Sequence, residues 1–433
     1  MKVAILGNMN NNGFAIMRYM RDLGVDAHLL LYANDGVGSI AHFRPEDDTW
    51  NIERWAPYIH QTPIVNSLYN GLTGFYVLFT FMMAFKAFFR PTSEPCLHWI
   101  SRRWALKALG DYDVYIASGI APALFHRIGK KLDVFYPYGT GIEHLGAQEQ
   151  TSRLPHMGAI KRAVTLKAMK AQKDGIRAAR QVFNAEYSLT KDILDGMGVP
   201  FHPLTIPMVY TETDIDPALY SIDLADVLAR VGQHHYVLGC SRQVWVRPSH
   251  MADDQWLRES KNSDWLIKAF AKLGKERPNH NLLLAISAYG PDVKASQALC
   301  RELGVDKNVV WMPKLARKEL SVVARGACAV VGEFKCVDEM IWGGVGWEAL
   351  AAGKVLVHSF RFAPGRYEAL YGTPPPPVLA VSRQVDVYNH LVRIADDSEF
   401  LNEFGMEASR WFGRYCGAGL ARRWLELIGQ TEA

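Results

Sequence analysis

The stretch Glu339–Val357, EMIWGGVGWEALAAGKVLV, joins an acidic residue to a glycine-rich turn, a second glutamate in an alanine-rich helix, and an apolar strand. The preceding run Ala327–Val331 (ACAVV) is apolar and β-prone, and Val355–Phe360 is another, so the unit reads as strand, loop, helix, strand. Such a crossover belongs to a parallel sheet, where ligands gather at the carboxyl ends of strands, here the loop Gly332 to Gly346. Gly343, Gly344 and Gly346 let that loop approach a ligand closely and lead, with Val345, into the positive end of a helix, where an anion sits well. Glu348, in the first turn, can accept hydrogen bonds from a ribose diol. Gly353 ends the helix. An ordinary crossover turn also uses glycines, so the function of this window depends on the rest of the chain.

With 433 residues the chain exceeds a single core and predicts two or three domains. Its net charge of +4 is unevenly spread. Residues 1–200 carry 22 Lys and Arg against 17 Asp and Glu, whereas 201–433 carry 26 against 27. A uniformly basic nucleic-acid binder is excluded. The six cysteines (Cys96, Cys240, Cys300, Cys328, Cys336, Cys416) form no CxxC pair, and no histidine cluster has metal-ligand spacing. A reduced, cytoplasmic setting is expected. The first residues, MKVAILGNM, read as a buried strand entering a polar loop, without the apolar core and cleavage site of a signal peptide.

Lys2–Leu6 reads as a strand, Gly7–Gly13 as a loop, Phe14–Leu23 as a helix and Asp26–Tyr32 as the next strand. The loop GNMNNNG lacks the GxGxxG spacing of a dinucleotide site, but Gly7 is placed to approach a phosphate. Further strands are expected at Val114–Ala117 and Val134–Tyr136, the second leading into a loop with Tyr138, Gly139, Thr140 and Glu143. A second alternating set runs through His235–Cys240, Asn281–Ser287, Val309–Met312, Ala327–Val331 and Val355–Phe360, with helices near 261–275, 292–303, 318–325 and 345–352. Two doubly wound α/β domains follow, joined within 185–230, where Pro200, Pro203, Pro207 and Pro217 interrupt any long helix. A helical region 384–412 and a last helix Gly417–Ile428 close the chain.

These residues resemble the family-4 retaining glycosyltransferases (glycosyl transferases group 1). Glu348-Ala349-Leu350-Ala351-Ala352-Gly353-Lys354-Val355 is similar to the family's EA-M-A-x-G-x-P-V stretch. Lys261-Asn262 with Trp265–Phe270 resembles its KG…LI-x-AF helix start, and Tyr289-Gly290-Pro291-Asp292 with Leu303-Gly304 and Val309-Val310-Trp311 resembles its GxGP…LG…V-x-F run. Ser241-Arg242 resembles its diphosphate-binding arginine. The resemblance implies the GT-B fold, two Rossmann-like domains facing across a cleft. Residues 1–205 would bind the acceptor and 206–415 the nucleotide-sugar donor, while 416–433 would form a helix packing back on the first domain. One departure stands out. The family spaces its two glutamates eight positions apart, but eight before Glu348 is Met340, so Glu339, Asp338 or Glu333 is the first acid.

The implied reaction moves a sugar from a nucleoside diphosphate sugar to a saccharide or lipid-linked glycan in cell-surface polysaccharide synthesis. It needs charge stabilised on a departing diphosphate while the sugar passes through an oxocarbenium-like state. Arg242 offers a planar fork and Lys261 a point charge, and both fall at strand-to-helix loops of one predicted sheet edge. With these two cations no metal or cofactor is required; the donor is a co-substrate. Glu339 would hold sugar hydroxyls, Glu348 the ribose, and the backbone around Lys314 and Leu315 the base. A front-face retaining mechanism lets the departing phosphate take the acceptor's proton, and no general base stands out. His126, His144 and His358 read as packing or surface residues. The long segment Ser241–Ser260 reads as a lid or as a disordered insertion.

Leu72–Phe89 (LTGFYVLFTFMMAFKAFF) is 18 residues with one charge, short of the about 20 apolar residues that span a bilayer, and reads as a buried or interfacial helix. Lys167, Lys170, Lys173, Arg177 and Arg180 recur at helical spacing and put five positive charges on one face. Such a face is either solvated or rests on anionic lipid, and with the apolar segment it points to peripheral attachment on the inner face of the membrane. Two other readings stay open. Asp111/Asp113 and Asp214/Asp216 have the spacing of a metal-dependent GT-A transferase, and the shifted glutamate would suit a non-catalytic binding subunit of the same fold.

Overall fold

The computed structural model describes residues 1–33, 44–64, 66, 102–138, 141–142, 145, 159–183, 188–213, 215–279, 281–339 and 342–430. The apolar run Leu72–Phe89, the acceptor-side Gly139, Thr140 and Glu143, and also Asp214, His144 and Cys96 lie outside the described residues.

Two parallel sheets of six strands organise the chain. The first holds β1 (Lys2–Leu6), β2 (Asp26–Leu31), β3 (Ile59–Gln61), β4 (Val114–Ala117), β5 (Val134–Phe135) and β6 (Gln181–Val182) in the order β3-β2-β1-β4-β5-β6. The second holds β7 (His235–Gly239), β8 (Leu282–Ser287), β9 (Val309–Met312), β10 (Ala329–Val331), β11 (Val355–His358) and β12 (Leu379–Ala380) in the order β12-β11-β10-β7-β8-β9. Both orders start at a central strand, wind to one edge, then cross to the other. Each sheet therefore reverses direction once, between β1 and β4 and between β7 and β10, and a doubly wound sheet opens its ligand crevice there.

The inner strands are apolar because helices cover both faces: β10 (AVV) and β11 (VLVH) are buried at every residue. Several expected strands are shorter than their apolar runs. Val355–Phe360 stops at His358 and Ala327–Val331 begins at Ala329, since pairing with the neighbouring strand, not hydrophobicity, sets the ends. Three of the four edge strands, β3, β6 and β12, have three, two and two residues, too few to show a period. The helical region 384–412 is two helices, Gln384–Asp396 and Ser398–Tyr415, divided where the Asp397 carboxylate accepts the Phe400 N–H at 2.8 Å.

The last helix, Ala418–Gly429, crosses back to the first sheet. Trp424 is fully buried between Tyr136 and Phe183, with ring centroids 5.2 and 5.3 Å away, and Gln181 Nε2 donates to Leu427 O at 2.8 Å. Among the described residues no helix is long and apolar enough to cross a membrane.

Candidate active site

The second sheet's crevice is built from the loops after β7, β10 and β11. Arg242, exposed, follows β7, and its carbonyl accepts from Ser263 Oγ at 3.1 Å. The segment 241–260 is ordered and contains the helix Asp253–Glu259. It is pinned to the β8 side because Asp292 Oδ2 accepts the N–H groups of Trp245 and Val246 at 2.7 and 2.9 Å, and Trp245 Nε1 donates to Ser296 Oγ at 2.8 Å. The disordered-insertion reading is thereby corrected.

Lys261 ends this segment. Its carbonyl accepts from Phe334 N at 3.1 Å, Asn262 Nδ2 donates to Phe334 O at 2.7 Å, and Trp265 stacks on Phe334 at 5.9 Å. The β10 loop is thus knitted to Lys261. Across that seam the Lys261 ammonium contacts Glu333, whose other oxygen lies 3.3 Å from Lys335 Nζ. Burial pushes the Lys261 ammonium down toward about 7, with the charges of Lys335 and Arg242 adding to the effect and the contact with Glu333 opposing it. Lys335 is lowered by burial and then by Arg242. Two lysines thus share one carboxylate with the Arg242 charge near both of them, and among the described residues the Arg242 guanidinium has no acidic partner. The placement has a net positive charge that an incoming anion would neutralise.

The candidate first acids divide into three environments. Glu333 lies between Lys261 and Lys335, and Asp338 is exposed, 3.8 Å from Arg361. Glu339 receives a two-pronged contact from Arg366, Nε to Oε1 at 2.6 Å and Nη2 to Oε2 at 2.8 Å, while its N–H donates to Arg361 O at 2.8 Å. Glu339 has a φ of 54°, a left-handed conformation costly for a non-glycine residue. Contacts from Arg361 and Arg366 hold it there.

Glu348 lies on the helix Gly344–Ala351, half-buried, with Oε1 3.1 Å from Arg317 Nε. Burial raises its carboxyl, and Arg317 pulls in the opposite direction. Arg317 Nη1 also donates to Asn10 O at 2.7 Å and Met208 O at 3.1 Å and lies 3.4 Å from Asp48 Oδ1. Asp48 in turn pairs with Arg18, a fully buried arginine whose guanidinium lies over the Phe14 and Tyr210 rings. A buried chain of charges, Arg18, Asp48, Arg317, Glu348, therefore runs from one lobe to the other. Tyr138 joins it because its hydroxyl accepts from Asn10 Nδ2 at 3.0 Å.

The glycines do different work. A Cβ on Gly346 would fall 2.0 to 2.2 Å from the Trp342 ring, one on Gly344 would meet Glu348 Oε1 at 3.2 Å, and one on Gly343 would meet nothing. Val345 is half-buried beside them. Gly7 takes a φ of +102°, and a Cβ there would lie 2.2 Å from Ser118 Oγ, so close strand-loop packing already accounts for it. Lys314 is exposed, with Nζ 5.5 Å from the Tyr289 ring centroid, and Leu315 packs at the margin of the core.

Lys335, Arg317, Arg366 and Asp48 escaped the sequence reading. Arg317 and Arg366 share one signal: each is the first residue of a helix, Arg317–Gly326 and Arg366–Tyr371. A cation there opposes the helix dipole by about 0.3–1 kcal/mol, so a nearby acid is to be expected. His358 is buried and neutral, its imidazole pushed down to about 3 by burial, in keeping with a packing role. One acid of each Asp-x-Asp pair has a structural role: Asp113 Oδ2 accepts the Lys2 N–H at 2.6 Å, and Asp216 Oδ1 accepts from Ala218 N at 2.9 Å. Among the described residues no three His, Cys, Asp or Glu side chains are gathered as a metal would require.

No family model matches the chain, and no curated protein matches it. Solved structures do. The HepE protein of Anabaena, in complex with UDP and glucose, is similar at a TM-score of 0.52 and 14% identity, over 99% of this chain and 100% of that one. A glycosyltransferase from Rickettsia africae is similar at 0.53 and 12%, over 99% and 98%. A UDP-N-acetylglucosamine 2-epimerase is similar at 0.50 and 13%, over 100% and 96%. The shared architecture is GT-B, two Rossmann-like lobes, which removes the GT-A reading.

Proposed function

We propose that the chain is a retaining glycosyltransferase of the family-4 type, moving a sugar from a nucleoside diphosphate sugar to a saccharide or lipid-linked glycan during cell-surface polysaccharide synthesis. The observation that carries this reading is the pair Lys261 and Lys335 on the single carboxylate of Glu333, with the Arg242 charge near both lysines, at the switch crevice of the second sheet.

In this reading a diphosphate leaving group enters the positive crevice and takes up the charge that the lysines hold against burial. Its bound position is fixed before reaction, so little reorganisation is needed as the sugar's bond to the phosphate oxygen stretches. Arg242 supplies the fork and the lysines point charges, without a metal. Glu339, oriented by Arg366, accepts hydroxyls of the donor sugar. Glu348 uses Oε1 for Arg317 and keeps Oε2 for a ribose hydroxyl. The acceptor hydroxyl attacks on the leaving-group side and passes its proton to the departing phosphate. Tyr138, linked through Asn10 and Arg317 to Glu348, lies on the acceptor side of this path.

Peripheral attachment to the inner face of a membrane completes the reading. On the helix Ala159–Ala178 the residues Lys167, Lys170 and Arg177 are exposed, as is Arg180 just beyond it, and Asp174 and Asp133 are the acids that pair with them. Each unneutralised cation near anionic lipid contributes roughly 1 kcal/mol. Flotation with anionic liposomes at low salt checks this part, and a protein that stays at the bottom of the gradient removes it.

The central reading is tested by thermal shift with inorganic pyrophosphate, UDP, GDP, ADP and their glucose and N-acetylglucosamine conjugates, since a ligand of the folded form raises the melting temperature. A rise is expected with pyrophosphate and with at least one nucleotide sugar, and Arg242→Ala with Lys261→Met should abolish it. No rise with any probe overturns the reading. Release of free nucleoside diphosphate on turnover distinguishes a transferase from an epimerase.

A further inference from the structure

Of the 49 phenylalanine, tyrosine and tryptophan residues in the sequence, Tyr289 is the only one among the described residues whose side chain is exposed, at 44%. Its backbone is nevertheless tightly held. Tyr289 O accepts from Gln243 N at 2.8 Å, Asp292 N donates to Gln243 O at 3.1 Å, and Ala288 N donates to Met312 O at 2.7 Å. Gly290 turns with a φ of +122°, and a Cβ there would lie 2.5 Å from Gln243 O. Gln243 is itself buried, its Oε1 accepting from Ser296 Oγ at 2.9 Å. A large apolar ring is thus displayed to solvent from a loop that has no freedom to bury it. A single exposed ring is ordinary on a protein surface, so it is the ring's place in the fold, beside two cations at one sheet edge, that bears on a ligand.

The ring's position says which part of a ligand. Tyr289 lies at the carboxyl end of β8, which neighbours β7 on one side and β9 on the other. Arg242, after β7, has its guanidinium carbon 6.0 Å from the ring centroid, and Lys314, after β9, has Nζ at 5.5 Å. Neighbouring strands lie about 4.8 Å apart, so the ring is one strand outward from the phosphate-binding loop, on the side away from β10. A nucleoside diphosphate whose phosphates occupy the Arg242, Lys261 and Lys335 crevice extends its base in that direction if the sugar lies toward Glu339 on the β10 and β11 side. Every base offers a π-face, and stacking on an aromatic side chain tolerates base identity.

We propose that Tyr289 is the platform on which the donor's nucleobase stacks, an inference that rests on the nucleoside diphosphate reading above. Arg242 and Lys314 flank the ring, so the same arginine that meets the diphosphate also borders the base site.

Isothermal titration of the full chain with UDP, GDP, ADP and inorganic pyrophosphate tests this, using Tyr289→Ala and Tyr289→Phe with folding checked by circular dichroism. Tyr289→Ala should weaken the best-bound nucleoside diphosphate by roughly tenfold to a hundredfold, and Tyr289→Phe should retain wild-type affinity. Pyrophosphate affinity should be unchanged in both. Nucleotide affinity unaffected by Tyr289→Ala, or lowered together with that of pyrophosphate, overturns the inference. So does a wild type that binds pyrophosphate as tightly as every nucleoside diphosphate, which leaves the anion site standing. A wild type that binds none of the four probes overturns the proposed function itself.

Discussion

Arg317 Nε and Glu348 Oε1 lie 3.1 Å apart, and the same guanidinium reaches Asp48 and the carbonyls of Asn10 and Met208 in and beside the opposite lobe. One side chain therefore neutralises a carboxylate of the second lobe and fastens the two lobes. Truncating it leaves Asp48 and Glu348 buried with less compensation, and breaking such a pair costs about 3–5 kcal/mol. Arg317→Ala should show that loss in urea unfolding. Arg317→Lys should recover little, because a point charge cannot serve four acceptors at once. A loss below about 1 kcal/mol would place the pair among ordinary surface bridges.

If an anion enters the crevice, Lys261 should make its binding depend on pH. Burial, Lys335 and Arg242 push the Lys261 ammonium down toward about 7 against the opposing pull of the Glu333 carboxylate, and a bound diphosphate would favour the charged form and raise its pKa further. Its contribution to affinity is then complete below the free-state value and declines as pH rises through it toward the bound-state value, by up to about tenfold per pH unit. Lys261→Arg stays charged throughout and lacks the decline. Pyrophosphate titrations from about pH 6 to about pH 9 at fixed ionic strength compare the two proteins against the same ligand titration. Parallel profiles would show that Lys261 does not change charge in this range.

Arg366 fixes both oxygens of Glu339, a residue already held at a strained φ of 54°. If that carboxylate accepts the donor sugar's hydroxyls, freeing it misplaces the sugar relative to the leaving group, and errors of about 1 Å cost on the order of a hundredfold in rate. Arg366→Ala should lower kcat of transfer or donor hydrolysis by about that factor. Nucleoside diphosphate affinity should stay within about twofold, because the phosphate cations are untouched. Arg366→Lys restores charge without the fork and should fall between. Equal loss of nucleotide affinity and of rate would assign Arg366 to general architecture instead.

The sheet strands were legible wherever both faces are covered. Val309–Met312 is apolar throughout and forms the strand its sequence predicts, whereas Gln181–Val182 pairs over two residues and carries no periodic signal. Arg242 and Lys261 could be placed beside the second sheet because one follows a readable strand and the other precedes a readable helix. The partners of the acids could not. Arg317 precedes Glu348 by 31 residues and Arg366 follows Glu339 by 27, and those separations are set by crossover connections rather than by local spacing. Asp48 meets Arg317 across 269 residues, a contact created by the docking of the lobes. Even so, an arginine at the first position of two helices was a local contradiction that only a tertiary partner resolves.

Gly343 and Gly346 look alike in sequence, but the structure separates them. Alanine is the better helix former by about 1 kcal/mol, so Gly346→Ala, inside the helix Gly344–Ala351, would stabilise if space allowed. Space does not allow it, because the new Cβ would sit 2.0 to 2.2 Å from a Trp342 ring that is itself packed on Trp347, His358 and Phe360. Overpacking costs about 1–3 kcal/mol and should win, giving net destabilisation in urea unfolding. Gly343→Ala meets no atom, but Gly343 caps the helix at a position where alanine is the poorer residue, so stability should fall by only about 0.5–1 kcal/mol. If the Gly343 backbone borders the diphosphate, that same variant should weaken UDP and pyrophosphate alike. An unchanged affinity for both would leave the turn with a packing role alone.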